Sequence, residues 1–293
     1  MIKDQAFELR ELMNRKQFAP LADERKGGDT RILAVASGKG GVGKSNLTIN
    51  LAIALAHQGK KVIIFDADLG MANMDVLAGL IPKYNLQDVL YGKKELKDIL
   101  IESYEGIQII PGASGIQEMA GMGQKRQALL IESLQAVANN SDFLLIDTGA
   151  GIHRSVLAFA GAAQEVIIVS TAEPTSLKDA YGIIKILVKY GDQRDIKTII
   201  NRIANLEEGE IAFRKLKTVA SKYLDFELQN LGFVREDRLM IKAVKEQVPF
   251  IVRYPLSDAA EDIKELAARI LNVEIEKPLG AQRFFNRLQR LFS

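Results

Sequence analysis

Gly38-Lys39-Gly40-Gly41-Val42-Gly43-Lys44-Ser45 decides the reading of this chain. It follows the apolar run Ile32-Leu33-Ala34-Val35-Ala36 and leads into a helical pattern that begins near Asn46. Strand, glycine-rich turn and helix is the context in which G-x-x-x-x-G-K-S holds nucleotide phosphates. The glycines let backbone N–H groups turn inward, and the new helix adds its positive N-terminal end. Lys44 then reaches the outer phosphates and Ser45 supplies a hydroxyl for Mg²⁺. Lys39 is a second lysine inside the loop, too far back to serve the same phosphates without crowding. It either points out of its own site towards a second nucleotide in a facing subunit or is a solvated loop lysine.

G-K-G-G-V-G-K-S resembles the deviant Walker A loop of the MinD/ParA family of ATPases. The resemblance implies ATP and Mg²⁺ as ligands and an ATP-sandwiched homodimer. Lys39 would reach across that dimer and act with Lys44 and an acid in catalysis.

The bulk composition is compatible with one large α/β domain and appendages, or two small domains. Among 293 residues, 47% are hydrophobic and 26% charged, and the net charge is +2. That reads as a soluble globular chain without a global footprint for nucleic acid. There are no cysteines, which excludes disulfides, thiolate metal sites and iron–sulfur clusters and fits a cytosolic setting. The charged residues Lys3, Asp4, Glu8 and Arg10 argue against a signal peptide. No run approaches the roughly 20 apolar residues of a spanning helix, so any membrane contact is expected to be peripheral.

Along the chain, a helix is expected at 44–57, ended by Gly59, then a strand at 62–65 finishing at Asp66. The next stretch, Asp66-Ala67-Asp68-Leu69-Gly70-Met71-Ala72-Asn73-Met74-Asp75, falls at the carboxyl edge of the sheet, where ligands are met. Two carboxylates one residue apart beside a P-loop can divide labour between the metal shell and the attacking water. A solvated strand-end loop is the plainer alternative. The stretch resembles the family's switch I motif D-x-D-x-G-x-x-N-x-D. That match makes Asp68 the water-positioning residue, places Asp66 nearer the metal, and makes Gly70 and Asn73 switch residues.

Short helices are expected at 86–90 and 94–100, a strand at 107–110, and a helix at 124–138. Phe143-Leu144-Leu145-Ile146-Asp147 is an apolar strand ended by an acid, the Walker B arrangement that sets Asp147 beside Mg²⁺. A strand-end cap is the alternative role for Asp147. Thr148-Gly149-Ala150-Gly151 then reads as a mobile turn able to sense the γ-phosphate. The family more often has proline where Gly149 stands. A strand at 165–170, a helix at 176–190, a strand at 197–201, and helices at 207–223, 239–247 and 257–271 continue the alternation. This pattern favours a parallel sheet with right-handed crossovers. Asn201 offers both a donor and an acceptor to adenine. Asn201-Arg202 resembles the family's adenine-contacting position, although a strand-end cap remains open, and Asn201-Arg202-Ile203-Ala204 is not the Asn-Lys-x-Asp of a GTPase.

The expected architecture is therefore an α/β P-loop NTPase fold, its mostly parallel central sheet covered by helices on both faces. One main domain would span 31–272, with linkers at 19–30 and 273–280. Residues 1–18 form an N-terminal segment whose positions 4–16 carry Ala6, Leu9 and Met13 at helical spacing, with Phe7 and Leu12 beside them. It either docks on its own domain or waits for a partner. Residues 281–293 place Phe284, Phe285, Leu288, Leu291 and Phe292 on one helical face, flanked by Arg283, Arg287 and Arg290. That composition suits a helix lying on anionic lipid, or one docked in its own groove.

The two ends narrow the family resemblance. The basic, apolar tail resembles the MinD branch more than the DNA-partitioning branch. Asp4-Gln5-Ala6-Phe7-Glu8-Leu9-Arg10 looks like the activator motif of the flagellar FlhG branch, with Gln5 at its contacting glutamine. That resemblance implies an ATP-controlled switch of flagellar number and placement, cytoplasmic and reversibly at the inner face of the cell membrane. Its implied partners are the signal-recognition-type GTPase FlhF and flagellar basal-body (C-ring) proteins. A MinD-type division-site ATPase and a ParA-type DNA partition ATPase are the alternative readings.

Overall fold

The computed structural model describes residues 30–68, 73–112, 124–190 and 195–272. The first strand, β1 (Arg31–Ser37), alternates its side chains between two layers. Leu33 and Val35 enter one apolar core with the helix α1 (Lys44–His57), whereas Ala34 and Ala36 enter another. This period-two division is what a strand covered on both faces requires.

The chain continues through β2 (Val62–Ala67), α2 (Met74–Ala78), α3 (Leu86–Leu90), a 3₁₀ turn at Leu96–Ile99, and β3 (Ile101–Glu102). A second 3₁₀ turn, Tyr104–Gly106, leads to β4 (Gln108–Ile110), α4 (Gln124–Ala138), β5 (Phe143–Ala150), α5 (Arg154–Ala162) and β6 (Glu165–Ser170). Then come α6 (Pro174–Tyr190), β7 (Ile196–Ile203), α7 (Leu206–Leu224), β8 (Gln229–Arg235), α8 (Arg238–Glu246), α9 (Phe250–Arg253) and α10 (Asp258–Leu271). The sheet order is β3-β4-β2-β5-β1-β6-β7-β8. Among the described residues only β3 and β4 pair antiparallel; the remaining neighbours run parallel.

Among the described residues the expected α/β architecture is present, with β1 between β5 and β6. The carboxyl ends of β1, β2 and β5 therefore converge, as open α/β sheets arrange their ligand crevices. Cores on opposite faces are built by α1 with α10 and by α5, α6 and α7. A third core joins β2, β4 and β5 to α3 and α4. Small residues allow close approach where the site forms. A Cβ on Gly38 would lie 2.3 Å from the backbone carbon of Asp179 in α6.

The opposite edge of the sheet is fastened by charge. Arg31 donates to Glu165 and, at 2.6 Å, to the Ile270 carbonyl at the end of α10. Lys197 donates to the other Glu165 oxygen. Burial alone would raise the Glu165 carboxyl, but the hydrogen bonds from Lys197 and Arg31 outweigh it and hold the carboxyl below its usual value. Strands β1, β6 and β7 are thereby tied to the last helix. The sites where residues 1–29 and 273–293 join the described domain lie at this same edge.

Several local expectations change. The helix expected at 94–100 contracts to the 3₁₀ turn Leu96–Ile99, which packs Leu96 and Ile99 into the third core. The strand expected to finish at Asp66 includes Ala67. Strand β5 runs on past Asp147, so Thr148, Gly149 and Ala150 of the expected mobile turn belong to the strand, with Thr148 paired to β2 and Ala150 to β1. Helices α2, α5 and α9 are additions to the sequence reading. The terminal segments at 1–18 and 281–293, including Gln5, Arg283, Phe284, Phe285, Arg287, Leu288, Arg290, Leu291 and Phe292, lie outside the described residues.

Candidate active site

The loop after β1 turns through Gly41 and Gly43, whose φ angles are 80° and 89°. These left-handed conformations suit glycine because a Cβ would clash with the backbone. Gly43 is doubly constrained, because its added Cβ would lie 2.5 Å from Asn201 Nδ2. That amide donates to the Val42 carbonyl at 2.7 Å and ties the end of β7 to the loop. Asn201 Oδ1 is buried and has no hydrogen-bond partner among the described residues. An acceptor in that position fits a ligand that brings its own N–H donors.

Lys44, at the start of α1, is buried and lies 2.9 Å from Asp147 Oδ1. It also reaches Ser45 Oγ at 3.3 Å. Thr48, one turn further along α1, donates to the same Asp147 oxygen at 3.0 Å. The sequence reading overlooked Thr48, although its spacing of four from Lys44 puts both on one helical face. Asp66 sits directly across from Asp147 on neighbouring strands. Two buried carboxylates thus share the single ammonium of Lys44.

Asp66 accepts from the backbone N–H groups of Asp68 and Met74 at 3.1 and 3.3 Å. Burial and the nearby Asp147 charge nevertheless push its carboxyl up to about 7. Once Asp66 has lost its proton, Ser45, Asp66 and Asp147 make an oxygen-rich site carrying one negative charge more than Lys44 balances. The hard donor set fits Mg²⁺ beside a bound triphosphate.

Asp68 follows at the end of β2, and a Cβ on Gly149 would lie 3.5 Å from its Oδ1. The two proposed switches therefore touch. Gly151 has φ 89° and donates to the Ser37 carbonyl at 2.8 Å, which fastens the second turn to the start of the P-loop. Asn73 precedes α2 and accepts through its carbonyl from Leu77 N–H at 3.0 Å. Gly70 lies outside the described residues.

Lys39 remains at the surface and pairs with Glu173 Oε2 at 3.1 Å, with Thr175 Oγ1 at 3.4 Å. Both partners come from the start of α6 and its preceding turn, and neither was singled out by the sequence reading. Arg202, with φ 60°, pairs with Glu236 at 3.0 Å on the rim. Gly40 has open space around it. Asn46 Oδ1 accepts from Asn50 one turn away at 2.8 Å.

A family model described as an AAA domain matches residues 30–201. Antiactivator FleN of Pseudomonas aeruginosa is 41% identical over 256 residues, covering 87% of this chain and 91% of that protein. The flagellum site-determining protein YlxH of Helicobacter pylori is 34% identical and covers 98% of both chains. The septum site-determining protein MinD of Pyrococcus horikoshii, solved as a complex with Mg-ADP, matches with a TM-score of 0.68 and 29% identity. That match covers 82% of this chain and 96% of the solved one. The chain belongs to the MinD/ParA-type ATPases.

As a MinD/ParA-type ATPase it is an ATP-hydrolysing enzyme, with FleN and YlxH among its similar relatives. The loop at 38–45, Asp147 and Asp68 converge at the carboxyl ends of β1, β5 and β2.

Proposed function

We propose that this chain is an ATP-dependent dimerising switch that sets flagellar number and placement. The observation that carries this reading is the similarity to YlxH over 98% of the chain, together with the closer similarity to FleN. Gly38, Gly40, Gly41, Val42, Gly43, Lys44, Ser45 and Asn46 cradle the ATP phosphates, with Asn201 and Arg202 at the base. Ser45, Asp66 and Asp147 hold Mg²⁺, which neutralises phosphate charge when bound. Asp68 orients the attacking water beside Gly149, near the end of β5, and the turn at Gly151. Lys39 leaves Glu173 to meet nucleotide in a facing copy.

In the ATP state the two copies present their tails together at the inner face of the cytoplasmic membrane. Joining two weak lipid-binding helices converts marginal affinity into avidity. The segment containing Gln5 stimulates the signal-recognition-type GTPase FlhF, and basal-body C-ring proteins receive the signal. The division-site reading is supported by MinD relatives at 30–32% identity. The flagellar reading is favoured by the closer FleN and YlxH relatives. Replacing the native gene with Lys44→Ala and counting flagella per cell by electron microscopy tests it. Altered number or placement is expected; wild-type flagellation with a displaced division septum would favour the division reading.

A further inference from the structure

Helix α4 and the α3-to-3₁₀ region line a groove of about 450 Å³ over the third core. Its apolar wall includes Val89, Tyr91, Leu96, Leu129, Leu130 and Val137. Leu130, Leu96 and Val137 are buried, whereas Leu129 and Tyr91 are 62% and 55% exposed. The groove therefore offers a packed floor and uncovered apolar walls. Water contact with those walls is unfavourable, so a complementary apolar segment would gain by covering them.

The attachment of the N-terminal segment puts it within reach of this groove. Thr30 Oγ1 lies 2.9 Å from the Ala138 carbonyl and 2.8 Å from the Ser141 carbonyl. The chain thus enters β1 beside the end of α4, the helix that supplies one wall of the groove. That wall, from residue 129 to 137, is about 12 Å long. The intervening residues 17–29 can extend about 40 Å, more than enough to bring positions 4–16 back along α4. A tether of this kind raises the local concentration to the millimolar range, so even weak apolar contact is sufficient.

Composition favours this end of the chain over the other. The charged groove residues are Lys94, Glu95 and Lys97, two cations and one acid. Segment 4–16 balances Asp4, Glu8 and Glu11 against Arg10, Arg15 and Lys16, so it adds no net positive charge to the groove, whereas residues 281–293 bring three arginines and no acid. We infer that Leu9, Leu12 and Met13 dock against the α4 wall of this groove in the same molecule. Docking withholds the segment from another protein. That regulatory consequence rests on the partner-activating role proposed above, while the docking itself does not.

The absence of natural cysteines permits a direct test in the full chain. Ser133→Cys, on α4, is combined in turn with Met13→Cys, Asn14→Cys or Leu288→Cys. Each pair is treated with oxidant and, separately, with a short bismaleimide. Mass spectrometry then distinguishes intramolecular links from linked dimers. Met13 is expected to link within one molecule at least fivefold more than Asn14, which is turned about 100° from it around the helical pattern. Preferential linkage of Leu288, linked dimers, or equal reaction of Met13 and Asn14 would overturn the assignment.

The oxidised Met13–Ser133 pair also tests the regulation. It should stimulate the partner GTPase at least fivefold less than the same protein after reduction. Equal stimulation in both states would overturn masking. A formed link with no stimulation in either state would count against the partner-activating role, leaving the docking assignment intact.

Discussion

Lys39 Nζ and Glu173 Oε2 are joined across 3.1 Å on one face of a single chain. The lysine proposed to reach a facing subunit is therefore held by its own α6 entrance. Both side chains are substantially exposed, and such pairs contribute at most about 1 kcal/mol. Release is consequently easy. Lys39→Ala should abolish ATP-dependent dimers in sedimentation velocity. Glu173→Gln should keep them and, with one pair opened in each of two copies, change the dimer dissociation constant by no more than about thirtyfold. Persistent dimers in Lys39→Ala would contradict the trans role.

The raised Asp66 carboxyl makes a prediction of definite sign for nucleotide-free protein. Its ordinary value of 3.8 rises to about 7 on folding through burial and the Asp147 charge. Between those values the folded chain binds a proton that the unfolded chain has released. Stability is therefore greatest below the unfolded value and declines as pH rises through about 7. The displacement corresponds to roughly 4 kcal/mol across the window. Asp66→Asn should flatten this decline and raise the urea midpoint at pH 8 in the presence of EDTA. An unchanged pH dependence would remove Asp66 as its source.

Asp68 and Gly149 bring the two switch segments into contact without a bulky side chain between them. If Asp68 positions water, Asp68→Ala should bind ATP with little change while turnover falls about 10²-fold or more. Single-turnover hydrolysis and size-exclusion chromatography with ATP measure the two effects. Dimers should accumulate because hydrolysis no longer releases them. Normal turnover, or monomers alone with bound ATP, would reject that role.

The aromatic and basic sequence pattern of residues 281–293 yields a separate membrane prediction. Deleting those residues should abolish sedimentation with vesicles containing phosphatidylglycerol but preserve ATP binding. Raising salt should weaken the intact protein's attachment, since arginine attraction to anionic lipid is screened. Equal vesicle binding by the intact and truncated chains would remove the tail from this function.

The phosphate loop and the strand-end acids were legible because local sequence carries their geometry. Val62 through Asp66 gives an apolar strand with an acid at its end, and Gly38 through Ser45 gives a complete phosphate turn. Short helices such as α2 and α9 escaped because only 5 and 4 residues, respectively, are too few to establish a helical period. The Lys39–Glu173 pair was hidden for another reason. Its residues are separated by 134 positions and meet only after β1, β6 and α6 have packed. Thr48 was more accessible to inference, because it lies one helical turn beyond Lys44. The Asn201 contact with Val42 spans 159 positions and has no comparable local signal.

That long-range contact makes Gly43 a sensitive test of how the loop and the base side cooperate. Gly43→Ala adds a Cβ at 2.5 Å from Asn201 Nδ2 while requiring a side chain at φ 89°. The loop must shift, and the Asn201-to-Val42 hydrogen bond must lengthen or break. ATP affinity should fall at least tenfold by equilibrium dialysis. Asn201→Ala relieves the steric conflict but removes both the donor that holds Val42 and the buried acceptor Oδ1. The double variant should therefore lose less than the sum of the two single losses in binding free energy, as expected for residues in contact. Additive losses would show that Asn201 does not control the P-loop through Gly43.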